Sequence, residues 1–168
     1  MAQQIGRRPW LVPGIRESYP GRLDGIQSSE LAQHVIRTAT VSLTAANIIA
    51  MNNTPVSVLA APGVGYAIIV DQFAFEMNRT STAFTGGGAI NLRYHTTTSS
   101  VPHAGTIAAS VVTTGGAGTA IVALGPNVGA SGLVIPSNEG IDITNATAAF
   151  AAGTGTAKVF LRYRIVTL

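Results

Sequence analysis

A chain of 168 residues has room for one well-buried domain and not comfortably for two. Hydrophobic side chains make up 46% of it, much of that alanine, and no run of 18 residues is free of polar or turn residues, which excludes a membrane-spanning helix. Only 10% of residues are charged, against roughly 25% in a typical soluble domain, and the basic residues, with Arg7-Arg8 the one adjacent pair outside the final strand and a single lysine, are scattered rather than gathered into the stripe a phosphate backbone requires.

In chain order, residues 1–33 read as an extended N-terminal arm. Pro9, Pro13 and Pro20 forbid a regular helix, and Gly14, Gly21 and Gly25 punctuate the segment further. A disordered polar tail would lack Trp10, Leu11 and Tyr19, so the arm is expected to carry anchors for a partner: Arg7, Arg8, Trp10, Leu11, Arg16 and Tyr19. The first eight residues hold no apolar core of the kind a secretory signal needs, so none is expected there.

Residues 34–168 form the second unit, a β-sandwich domain. Val35, Arg37, Ala39, Val41 and Leu43 share one side of a period-2 stretch, which predicts a strand. Residues 44–51 predict a short helix with Thr44 as its N-cap. Strands follow over 56–60 and 66–77, the second with apolar residues on both sides and therefore central to a sheet. Residues 80–88 read as a glycine-rich connection. The stretch 89–95 alternates, with Ile90, Leu92 and Tyr94 inward and Asn91, Arg93 and His95 outward. Weaker strands are predicted over 107–112, 119–124, 133–135 and 140–143, and residues 145–156 read as a floppy loop. The last strand, 158–168, turns Val159, Leu161, Tyr163 and Ile165 to the core and Lys158, Arg162 and Arg164 outward. About eight short strands at roughly 8–12-residue spacing predict an all-β fold, an antiparallel sandwich of which a jelly roll is the favoured form.

Chemistry is sparse. With no cysteine, disulfides and thiolate metal sites are excluded. His95 and His103 have no third ligand near them in sequence and His34 is remote, so no metal site and no cofactor is expected. Asp71 and Glu76, five apart on one strand, are expected on opposite faces, which spoils them as an acid–base pair. Glu139 and Asp142 flank a turn and are expected in solvent, while Asp71 is expected to pair with an arginine such as Arg93 or Arg162. No G-x-S-x-G elbow occurs, and neither Gly86-Gly87-Gly88 nor Gly115-Gly116-Ala117-Gly118 leads into the Lys-Ser/Thr of a phosphate loop. Catalytic residues are accordingly not expected, and the protein is read as a non-enzyme.

Residues 43–66, LTAANIIAMNNTPVSVLAAPGVGY, run from a short helix through Thr54-Pro55-Val56 to Ala61-Pro62-Gly63 and into the long apolar strand. That pattern resembles tailed-bacteriophage capsid decoration (cement) proteins. The resemblance implies a jelly-roll or β-sandwich protein of the virion, made in the host cytoplasm and seated on the capsid exterior. Its partners would be the major capsid protein and other copies of itself, a trimer favoured over a dimer, with neither nucleic acid nor membrane. An adhesion module of a phage tail or fibre, binding carbohydrate, is the alternative; a cupin-type enzyme would need a histidine cluster that the sequence lacks.

Overall fold

The computed structural model describes residues 35–95, 105–125 and 135–168. Its strands arise where β-branched and aromatic residues alternate with small polar ones, which suits a surface buried on one side. They are β1 (Arg37–Leu43), β2 (Val56–Leu59), β3 (Tyr66–Arg79), β4 (Thr85–Gly86), β5 (Ile90–Tyr94), β6 (Thr106–Ile107), β7 (Gly118–Leu124), β8 (Ile141–Asn145), β9 (Phe150–Ala151) and β10 (Thr156–Thr167). Two short helical pieces interrupt them, α1 (Ala45–Ala50) and α2 (Ser110–Thr113).

All pairings are antiparallel, and two four-stranded sheets result, ordered β1-β10-β3-β7 and β2-β8-β5-β6; β4 and β9 form a separate small pair. Setting that pair aside, the first strand lies beside the last in one sheet and the second beside the next-to-last in the other. This is the strand order of a jelly roll, so the expected all-β sandwich takes its favoured form. Leu43, Phe73, Phe75, Met77, Val159 and Leu161 from the first sheet meet Ile90, Leu92, Ile141 and Ile143 from the second, all almost wholly buried. Tyr94 ties the layers together, its hydroxyl donating to the Ile68 carbonyl at 2.8 Å, and burial pushes its phenol well above the ordinary value.

The expected helix at 44–51 is present, and Thr44 caps it. The Asn47 amide donates to Thr44 Oγ1 at 3.2 Å, and Asn47 Oδ1 accepts from the Thr44 amide at 2.9 Å, a reciprocal capping box. The long strand β3 is an inner strand, as expected, but its two-sided apolar pattern has another cause. Opposite β10 the register steps from Arg162↔Gln72 to Tyr163↔Val70, leaving Asp71 as the extra residue of a bulge. Before the bulge Ile68 and Val70 face the core; after it Phe73, Phe75 and Met77 do. The bulge also corrects the expectation that Asp71 and Glu76 point apart, since both come to lie on the outer side of the sheet.

Three further expectations are corrected. The strand over 107–112 is only the two residues of β6, followed by the turn of α2, which brings Val112 into the core. Of the strand expected over 133–135, residues 133 and 134 lie outside the described residues, and Ile135 packs against the core. Asn91, expected outward in solvent, is buried. Residues 145–156 are not a floppy loop. Phe150 is buried there and meets Phe84 edge-to-face, with ring centroids 6.4 Å apart, while β9 pairs with β4. The 80–88 connection and the low-complexity segment thus close over each other.

Candidate functional site

Two places on the described surface gather side chains that could act on something outside the chain. The larger is the outer face of the β1-β10-β3-β7 sheet. Strand register sets its side chains in transverse rows: Ser42, Lys158, Glu76 and Ile121 in one, Thr40, Phe160, Ala74 and Ala123 in the next, and Thr38, Arg162 and Gln72 in a third. The middle row of this face is apolar, with Phe160 on the inner strand β10 36% exposed, and Ile121, on the edge strand β7, is 67% exposed. A depression of about 230 Å³ beside Phe160 is lined by Thr38, Thr40, Gln72, Ala74 and Arg162 among others. Beyond the rows stands the ion pair that fixes the bulge. Arg164 donates from Nη2 to Asp71 Oδ1 at 2.8 Å and from Nε to Oδ2 at 3.0 Å, both side chains partly exposed. The sequence points to Arg93 or Arg162 as the partner of Asp71. The bulge turns it to Arg164 instead, while Arg93 belongs to the other sheet.

The second place is at the end of the β2-β8-β5-β6 sheet. Register puts Ser57 and Arg93 on either side of Asp142, and His95 Nδ1 lies 2.7 Å from Asp142 Oδ2. Asp142 is 2% exposed, so the expectation that it is solvated is corrected. The His95 side chain remains 65% exposed, as a strand-end histidine would be. A depression of about 230 Å³ opens between Ser57, Leu59, His95, Asn138 and Glu139. A carboxylate holding an imidazole with a serine nearby has the parts of a nucleophilic site, but the arrangement lacks its essential bond. Among the described residues no hydrogen bond joins Ser57 to His95, and a serine hydroxyl without a base in contact is a weak nucleophile. No group of three or more His, Asp or Glu side chains among the described residues could hold a metal ion. Nor is any described helix long and apolar enough to cross a membrane.

No family model and no curated protein matches the chain. Among solved structures it is similar to a chain of the cyanophage Pam1 capsid asymmetric unit. The two are 17% identical, with a TM-score of 0.47, and the match covers 94% of this chain and 99% of that one.

The candidate partner-binding residues of the arm, Arg7, Arg8, Trp10, Leu11, Arg16 and Tyr19, lie outside the described residues, as do His34 and His103. Sequence reasoning missed the outer face as a surface with a centre. Phe160 and Ile121 each look like the odd apolar residue on the wet side of a strand, and only the register of four strands sets them in adjacent rows. It also missed the Asp142–His95 pair, whose partners come from β8 and the end of β5.

Proposed function

We propose that the chain is a structural virion protein that binds the outside of a phage capsid shell and stabilises it by bridging capsid subunits, without enzymatic activity. The observation that carries this reading is the outer face of the β1-β10-β3-β7 sheet. The exposed Phe160 lies in a row with the small Thr40, Ala74 and Ala123, with Lys158 and Glu76 in the row on one side, Arg162 in the row on the other, and the exposed Ile121 at the β7 edge. An apolar centre within a polar rim is the anatomy of a protein–protein contact. The scarcity of charge fits the same role, because little electrostatic repulsion opposes close packing against neighbours. The pattern over residues 43–66, similar to cement proteins, supports that kind of assembly. In this reading the N-terminal arm reaches the major capsid protein, with Trp10 as anchor, and the chain acts as a symmetric homo-oligomer.

The test is co-sedimentation of the purified chain with tailed-phage capsid shells stripped of accessory proteins, from the phage whose genome encodes it. The wild type should bind and raise the temperature at which shells open. A chain lacking residues 1–30 should keep its β-type circular dichroism and melting temperature yet lose most shell binding, and Phe160→Asp should weaken binding in an intact fold. Wild-type chain that leaves the shells unbound, or binding retained in both variants, refutes the proposal. Glycan binding without shell binding would favour the adhesion module instead.

A further inference from the structure

The edges of β-sheets expose unpaired backbone groups that invite another chain, and natural proteins blunt them with shortness, charge, proline or a bulge. Three of the four edges of this sandwich follow that rule. β6 is two residues long. β2 has four residues, with a register shift between Ser57 and Leu59 and prolines at positions 55 and 62 on either side. β1 carries Arg37.

β7 has none of these devices. Its seven residues pair with β3 one for one, from Arg79↔Gly118 to Phe73↔Leu124, without a shift. None is charged and none is proline, and among the described residues its backbone hydrogen-bonds to β3 alone. Ile121, at its middle, is 67% exposed, more than any other large hydrophobic residue in a described strand. The lack of charge extends beyond the strand, for the sequence contains no Lys, Arg, Asp or Glu between Arg93 and Glu139.

We infer that β7 is the seam of a homodimer: two copies pair β7 to β7, antiparallel, across a two-fold axis near Ile121, so that the sheet runs on from one copy into the other. Charge selects this occupant. A strand without charge offers no counter-ion to a charged partner strand, yet it meets its own copy without repulsion. The nearest charges in the central row are the Glu76 carboxylates, one strand in from each side of the seam. At the usual strand spacing they stand roughly 14 Å apart, beyond the screening length of about 8 Å at physiological salt. Symmetry supports the same choice, because a strand paired with its own copy closes the assembly and leaves no further β7 edge on which fibres could grow. The result is a two-fold dimer, where the resemblance to cement proteins favours a trimer. It needs only copies of this chain in solution and does not depend on shell binding.

The chain has no cysteine, so one introduced thiol reports on the seam alone. Residues facing each other across an antiparallel pair have Cα atoms about 4.5–5.5 Å apart, within reach of a disulfide. Under mild oxidation the full-length Ile121→Cys variant should become a covalent dimer, while Thr40→Cys, on the opposite edge of the same sheet, should stay monomeric on a denaturing gel. Light scattering should give twice the chain mass for the wild type and the chain mass for Ile121→Lys, with unchanged circular dichroism and melting temperature. A wild type at the chain mass at every concentration overturns the inference, since a strand of the same chain or of another protein then covers β7. So does an Ile121→Lys variant that keeps the dimer mass, or cross-linking through Thr40→Cys in place of Ile121→Cys. Shell co-sedimentation of the same variants, read separately, shows whether the functional reading survives either outcome.

Discussion

The glycine-rich stretch that meets β9 and the glycine-rich stretch that leads into β7 look alike as sequence, yet one is packed and the other is open. Around Gly86-Gly87-Gly88 the backbone runs against a buried aromatic. A Cβ on Gly87 would sit 2.2 Å from the Phe150 ring, and one on Gly153, across the same cluster, 2.4 Å from the Phe84 ring. Around Gly115-Gly116-Ala117-Gly118 a Cβ on any of the three glycines would meet nothing within 4 Å. The difference lies in the neighbours. Phe84 and Phe150 are nearby in chain to the first stretch or fold onto it, and each must be covered, whereas nothing aromatic accompanies the second. A glycine run becomes structure where a large side chain needs its backbone to come close.

The comparison can be broken most severely at its anchor. Phe150→Ala should cost about 3–5 kcal/mol in guanidinium unfolding, because the buried ring leaves a cavity under the β4–β9 pair. If the cost is under about 1 kcal/mol, the segment is the loose loop that its composition suggests. Gly87→Ala comes next. Its Cβ collides with the same ring at a φ of +72°, so a loss on the order of 1–3 kcal/mol is expected. The double variant with Phe150→Ala should recover part of that loss, since the clash then has no partner. On the open stretch, Gly116→Ala meets no atom but keeps a φ of +93°, and should lose about 1–2 kcal/mol from backbone conformation alone. Gly115→Ala, with neither clash nor positive φ, should be the mildest: neutral or stabilising by up to about 1 kcal/mol through a less flexible unfolded chain. Melting curves of the three glycine variants, measured side by side, rank them.

Much of the architecture is legible in the sequence because it is written in local alternation. The spacing of Val159, Leu161 and Tyr163 marks β10, and Thr44 marks the start of α1. What stays hidden depends on partners distant in sequence. The bulge at Asp71 leaves no trace in β3 read alone, because Ile69 and Ala74 make either phase look apolar. Its ion pair with Arg164 follows from that bulge. Asp142 sits between the hydrophobic Ile141 and Ile143, where alternation places it on the wet side of the sheet. Its burial becomes evident only when its neighbours in space are known. The arm's anchors, read from prolines and aromatics, lie outside the described residues and rest on the shell-binding experiment.

The neighbourhood of β1 and β10 has a consequence for timing. Arg37 pairs with Tyr163 and Leu43 with Ala157, so the first strand of the domain finds its partner only in the last. β10 also stands between β1 and β3, and without it the sheet that carries the β7 edge falls into separate pieces. A chain emerging from the ribosome therefore cannot finish this sheet until its final strand has been made, and contacts so distant in sequence are slow to form. The domain is complete only as a whole, and a nascent or truncated copy lacking β10 has no finished outer face to offer a neighbour.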